Sequence, residues 1–138
     1  MLGLITDNLS LWGVGFLNTL SLTVLSFVIG FFFAVPMGIV RSRTGTLLSR
    51  IAYVYVYIIR GTPLLVQIYL LYFGAGQFHK ELNQIGVWWI FRDAYYCGLI
   101  ALILNTIAYQ AEIVRGAVIA IPKGLEEAGA SVDLSTLQ

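Results

Sequence analysis

Charge is scarce in this sequence: Asp, Glu, Lys and Arg make up 11% of its 138 residues, against roughly 25% in ordinary soluble domains. Hydrophobic residues make up 59%, and the mean hydropathy is +0.85. A globule of this size needs polar residues to cover the large fraction of its chain that stays at the surface, a need that lipid removes. The composition therefore implies a bilayer as solvent. An all-α fold follows, because a lone strand in lipid would leave its backbone groups unpaired.

Other scarcities exclude whole classes of chemistry. Cys97 is the single cysteine, so an intramolecular disulfide and a thiolate metal cluster are both ruled out. His79 is the single histidine and has no carboxylates at metal-ligand spacing, so no metal site and no nucleophile triad can be assembled. No catalytic residue stands out and no cofactor is required, since the titratable groups are dispersed where an enzyme needs them convergent. The eight Lys and Arg are scattered and the net charge is +1, which leaves no footprint for nucleic acid. Asp7 is the one charge before Arg41. Without a basic leader, the first apolar run is expected to stay in the protein rather than be cleaved.

What the chain does have is three long apolar runs, predicting a polytopic membrane protein with three transmembrane helices. The first is placed at residues 13–40, which as a helix would reach about 42 Å against a hydrocarbon core of about 30 Å. It can tilt, and Pro36 is a site for a kink. The second is placed at residues 51–76. Its alternating Tyr53, Tyr55 and Tyr57 look strand-like, but the backbone argument favours a helix. The third is placed at residues 94–118, preceded by an interfacial stretch carrying Trp88 and Trp89.

Arg41, Arg43 and Arg50 lie between the first two runs with no acidic residue among them, so that loop is expected in the cytoplasm. The N-terminus is then outside and the C-terminus inside.

Arg60-Gly61-Thr62-Pro63 sits within the second run. An arginine at the centre of a spanning helix costs about 2.5 to 3.5 kcal/mol, and proline beside glycine should break or bend the helix. Two readings stay open: Arg60 lines a pathway with Thr62 and Gln67 beside it, or a snorkelling arginine happens to adjoin a proline kink. Asn105, Thr106, Gln110 and Glu112 place polar groups along the third run, as fasteners between helices at about 0.6 kcal/mol each or as contacts for a solute. Glu112 and Arg115, three residues apart, form an expected ion pair. Beyond them, residues 121–138 start with a proline and glycine turn and suggest a short helix on the cytoplasmic face.

Three stretches resemble the permease subunits of polar amino-acid ABC importers, the histidine, arginine and glutamine uptake group. They are Asn18-Thr19-Leu20-Ser21-Leu22-Thr23, Arg60-Gly61-Thr62-Pro63-Leu64-Leu65-Val66-Gln67, and Ala108-Tyr109-Gln110-Ala111-Glu112-Ile113-Val114-Arg115-Gly116-Ala117 leading into Ile121-Pro122-Lys123-Gly124. The resemblance implies a transport subunit rather than an enzyme, in the bacterial inner membrane. Its partners would be a cytoplasmic ATP-binding subunit, a second permease copy or homologue, and an extracytoplasmic solute-binding protein. Arg60, Thr62, Gln67, Asn105, Gln110 and Glu112 become candidates for the translocation path.

A coupling helix docking on the ATPase is implied around Pro122, Lys123, Gly124, Glu127, Ala128, Gly129 and Asp133. Gly129 stands where the family signature has alanine, and Asp133 stands where it has glycine, adding a charge to the docking surface. Such permeases continue into two further spans, so the expectation is a single, partial permease domain over residues 1–138. The alternative is a transport-inactive remnant or a small structural membrane protein.

Overall fold

The computed structural model describes residues 9–43, 45–122 and 124, and every element among them is helical. Helix α1 (Leu9–Ser42) contains no charge until its last turn, where Arg41 lies, and it runs on through Pro36. Helix α2 (Leu47–Gly61) begins where the Thr46 side chain accepts a hydrogen bond from Ser49 N at 3.1 Å. It follows a turn at Gly45, whose φ of +92° suits glycine. Helix α3 (Leu64–Gln77) contains a π-helical turn at Leu70–Gly74. Two short helices, α4 (His79–Gln84) and α5 (Trp88–Phe91), lead to α6 (Ala94–Ile119), which Asp93 caps by accepting from Tyr95 N at 2.9 Å.

Helices α1 and α6 are each long and apolar enough to cross a membrane. Helices α2 and α3 together make a third apolar segment, bent by 103°. The bend falls where the sequence places a break. Thr62 takes the extended conformation (φ −115°, ψ 140°) that the residue before a proline prefers.

Helices α1 and α6 lie side by side and run in the same direction. Ser21 Oγ, in the first half of α1, meets Tyr95 Oη at the start of α6 at 2.7 Å, Gly30 lies against Thr106, and Gly38 lies against Val114. Residues 43–93 must therefore carry the chain back from the end of α1 to the start of α6. The bent α2–α3 pair makes that return.

Small residues bring α1 and α6 together. Ser26, Gly30, Ala34 and Gly38 recur at four-residue intervals along α1 and are all buried, opposite buried Cys97, Ala101, Ala108 and Ala111 of α6. In lipid there is little hydrophobic gain from bringing helices together, so close backbone approach and dispersion contacts must hold the pair. Val56 of α2 closes a small core with Ala34, Ala108 and Ala111, and Met37, Tyr55 and Ile59 pack around it. Large side chains such as Phe16, Phe27, Phe31 and Phe32 point away from this core, as they should for a chain solvated by lipid.

Tyr55 Oη donates to Leu104 O at 2.7 Å and ties α2 to α6. Replacing Tyr55 with phenylalanine should lower stability by about 0.6 kcal/mol, and by no more than about 1.7 kcal/mol. Thermal unfolding in detergent measures this, and a loss of several kcal/mol would mean that the hydroxyl carries far more of the contact between α2 and α6 than one interhelical hydrogen bond accounts for.

Candidate functional site

Pro63 has no backbone N–H, so the carbonyl of Ile59, four residues earlier, loses its helical donor. Gln67 supplies another: its side-chain Nε2 donates to Ile59 O at 2.9 Å, and it also reaches Thr62 Oγ1 at 2.9 Å and Thr62 O at 3.2 Å. The Thr62 hydroxyl in turn donates to Ile58 O at 3.0 Å. The carbonyl freed by Pro63 is thus satisfied by a side chain, and the Thr62 hydroxyl adds a second donor to the last turn of α2. Among the described residues, no hydrogen bond reaches the next two, Arg60 O and Gly61 O.

Beside this break lies an open cavity of about 620 Å³. Arg60 and Gly61 from the last turn of α2 line it, with Tyr53 and Tyr57 from the same helix, Arg41 from α1, and Tyr109, Glu112 and Arg115 from α6. Glu112 organises the charges. Its Oε2 accepts from Arg41, its Oε1 accepts from Arg115 Nε at 2.8 Å, and Arg60 Nη1 stands 3.9 Å from Oε2.

The three arginines are not equivalent. The Arg41 side chain is 8% exposed and is committed to Glu112, whereas that of Arg60 is 42% exposed. Arg60 lies over the Tyr109 ring at 5.2 Å, and Arg41 lies over the Tyr53 ring at 5.6 Å. Both stacks are within the range for cation–π attraction. Three guanidinium groups face one carboxylate, so the cavity keeps an excess of positive charge that a low-dielectric surrounding screens poorly.

The structure brings Arg60 and Glu112 into one site and places Thr62 and Gln67 at the break that borders it. Gln110 is half-buried on α6, with its Oε1 enclosed and without a partner among the described residues. Asn105 is half-buried on the same helix and its side chain joins no hydrogen bond among the described residues, while neighbouring Thr106 packs its methyl group against Gly30. Pro122 and Gly124 are exposed beyond the end of α6. Lys123, Glu127, Ala128, Gly129 and Asp133 lie outside the described residues.

Arg41, Tyr53 and Tyr109 were not among the sequence-derived candidates. Arg41 reads there as a loop cation that sets orientation, but it is held inside by Glu112. Its position in the last turn of a long apolar helix was the available signal.

Residues 26–138 match the family described as the inner membrane component of binding-protein-dependent transport systems, and the chain belongs to that family. The nopaline transport system permease protein NocM of Agrobacterium fabrum is 45% identical over 86% of this chain and 49% of its own length. The octopine transport system permease protein OccM of Rhizobium radiobacter is 42% identical over 79% of this chain and 44% of its own. The arginine ABC transporter permease protein ArtM of Haemophilus influenzae is 36% identical over 90% and 54%. The crystal structure of an amino acid ABC transporter with histidines superposes with a TM-score of 0.74 at 31% identity, over 96% of this chain and 57% of that one. The chain spans about half the length of the curated relatives it matches.

Proposed function

We propose that this chain is part of the permease subunit of an ATP-driven importer for polar amino acids, and that the cavity beside the α2–α3 break belongs to the translocation path. The observation that carries the reading is the meeting of opposite charges in one open cavity. Arg60 presents an exposed guanidinium that a carboxylate can approach, the carbonyls of Arg60 and Gly61 at the end of α2, unbonded among the described residues, are acceptors that suit an ammonium group, and Glu112 offsets part of the positive charge around them. A zwitterionic solute carries both charges. A helix interrupted at such a site is how transporters free backbone polar groups to face a cavity. Arg60, Thr62, Gln67, Asn105, Gln110 and Glu112 are the residues assigned to the path or its border.

The same reading assigns ATP hydrolysis to a separate cytoplasmic subunit that docks on the segment from Pro122 to Asp133, with a second permease copy or homologue completing the pathway. A solute-binding protein delivers the amino acid from outside. Arg43, in the turn after α1, and Arg50, in the first turn of α2, are both exposed and support a cytoplasmic placement of the α1–α2 connection by the excess of basic residues on that side. The ends of α1 and α6 that lie together then share the cytoplasmic side. Cysteines introduced at Ser42 and at Gly124 should both resist a membrane-impermeant maleimide added to intact cells, whereas one at Ile85 should react. Labelling at Ser42 with protection at Ile85 would reverse the orientation.

Uptake tests the path directly. Arg60→Met keeps the unbranched apolar stem of the side chain and removes its charge. In vesicles with the gene product and its ATP-binding and solute-binding partners, it should cut uptake of labelled arginine, histidine or glutamine at least tenfold. Uptake at the unsubstituted rate would remove Arg60 from the path.

A further inference from the structure

We propose that Gln67 is a positioning residue whose amide stands in for the hydrogen-bond donor that Pro63 lacks, and that it thereby fixes the angle at which α3 leaves α2. A helix that meets proline must satisfy the orphaned carbonyl four residues back or leave it bare. Gln67 lies four residues beyond Pro63 and reaches back across the break to donate to Ile59 O at 2.9 Å. The same nitrogen also lies within reach of the Thr62 carbonyl and hydroxyl. One side chain in the first turn of α3 is thus tied to the last turn of α2 and to the residue between them.

Without that tie, α3 would be joined to α2 chiefly by two residues of extended chain. With it, the 103° bend is cross-braced. The brace matters for the cavity, because Arg60 and Gly61 lie in the last turn of α2, next to the carbonyl that Gln67 holds.

Enclosure strengthens the argument. Gln67 Oε1 is buried and without a partner among the described residues, although the amide could rotate about its last bond. Three nearby acceptors, Ile59 O, Thr62 O and Thr62 Oγ1, outweigh the unmet need of that oxygen, and they select the orientation that presents NH₂ to the break. Donation is therefore the property in use. A residue of the same size that cannot donate should fail in its place.

The experiment measures the angle by pulsed electron spin resonance between labels on Leu48→Cys and Leu70→Cys, both exposed positions, in a Cys97→Ala background. With a 103° bend, the two backbone positions are separated by about 20 Å, and a straight helix would place them about 33 Å apart at ~1.5 Å per residue. Gln67 should give one narrow distribution near the shorter value. Gln67→Leu should broaden it and shift its mean toward the longer value. In a Pro63→Ala background, where a backbone N–H is again available to Ile59 O, Gln67→Leu should cause no further change.

An unchanged distribution in the single variant overturns the proposal. So does an equal shift with and without Pro63, which would assign the effect to packing. If Gln67→Leu fails to insert, Gln67→Glu, which keeps the size but as a carboxylate cannot donate, carries the same expectation. Failure of both variants with Pro63 and recovery with Pro63→Ala supports the proposal, and failure in both backgrounds overturns it. The readout is independent of transport, so its outcome is separable from the fate of the importer reading.

Discussion

Glu112→Ala is expected to destabilise the helix assembly by about 3 to 5 kcal/mol, the usual cost of removing one partner of an enclosed ion pair. Glu112 is the one carboxylate among the three arginines that line the cavity, and they arrive from three different helices. Without it, Arg41 is left 8% exposed with no counter-charge, while Arg60 and Arg115 repel it across a poorly screened space. Glu112→Gln keeps the shape and an acceptor but not the charge, and should recover only part of the loss. Restoring neutrality should help: adding Arg41→Met to Glu112→Ala should return part of the stability, because the most enclosed cation is then gone. Thermal unfolding in detergent reads all four proteins. Unfolding of Glu112→Ala at the unsubstituted temperature would mean that the arginines find other acceptors and that Glu112 organises nothing.

The second large effect lies at the small-residue seam. A Cβ built on Gly38 falls 2.6 Å from Val114 Cβ and 2.7 Å from the backbone oxygen of Ala111. A backbone atom cannot step aside as a side-chain tip can, so Gly38→Leu must push α1 away from α6 and surrender contacts along the seam. Overpacking of this kind typically costs about 1 to 3 kcal/mol, and more where the backbone must move. A residue as small as alanine already carries the offending Cβ, so Gly38→Ala should be measurably harmful too. Gly13, where a Cβ meets nothing within 4 Å, should accept alanine freely. Cross-linking of Ser21→Cys to Tyr95→Cys by a short bifunctional thiol reagent that spans the space of the tyrosine ring, with Cys97 replaced, reads the seam directly. Gly38→Leu should slow it strongly, and an unchanged rate would show that the helices do not meet as described.

Local chemistry explains which parts of this arrangement could be read from the sequence. The uncharged run before Arg41 and the one from Ala94 to Ala111 mark α1 and α6, since an uncharged apolar stretch of that length has few other solutions in a bilayer. The break at Gly61 to Pro63 was equally legible, because proline's missing donor acts within a single turn. Its angle was not, because the angle depends on what Gln67 reaches across the gap. The π-helical turn at Leu70–Gly74 has no comparable local marker.

Long-range partners divide the same way. Glu112 and Arg115 share a helix face, so their pairing follows from their spacing. The contact between Arg41 and Glu112 follows only when α1 and α6 are set side by side in one register. That register rests on Ser26, Gly30, Ala34 and Gly38, a four-residue repeat of small side chains that was visible in the sequence and points to close helix packing. With the repeat recognised, Arg41 could have been placed beside the polar end of α6 rather than in a solvated loop. The coupling segment rests on resemblance, because Lys123 and residues beyond Gly124 lie outside the described part of the structure.

The measurement that bears most directly on the importer reading is ATP hydrolysis by the assembled transporter. The gene product carrying this chain is reconstituted in vesicles with its ATP-binding subunit, and the solute-binding protein is added with and without arginine, histidine or glutamine. The account predicts that the loaded binding protein stimulates hydrolysis severalfold over the empty one, and that Arg60→Met removes most of that stimulation. Hydrolysis indifferent to the binding protein and to every one of these amino acids would contradict it.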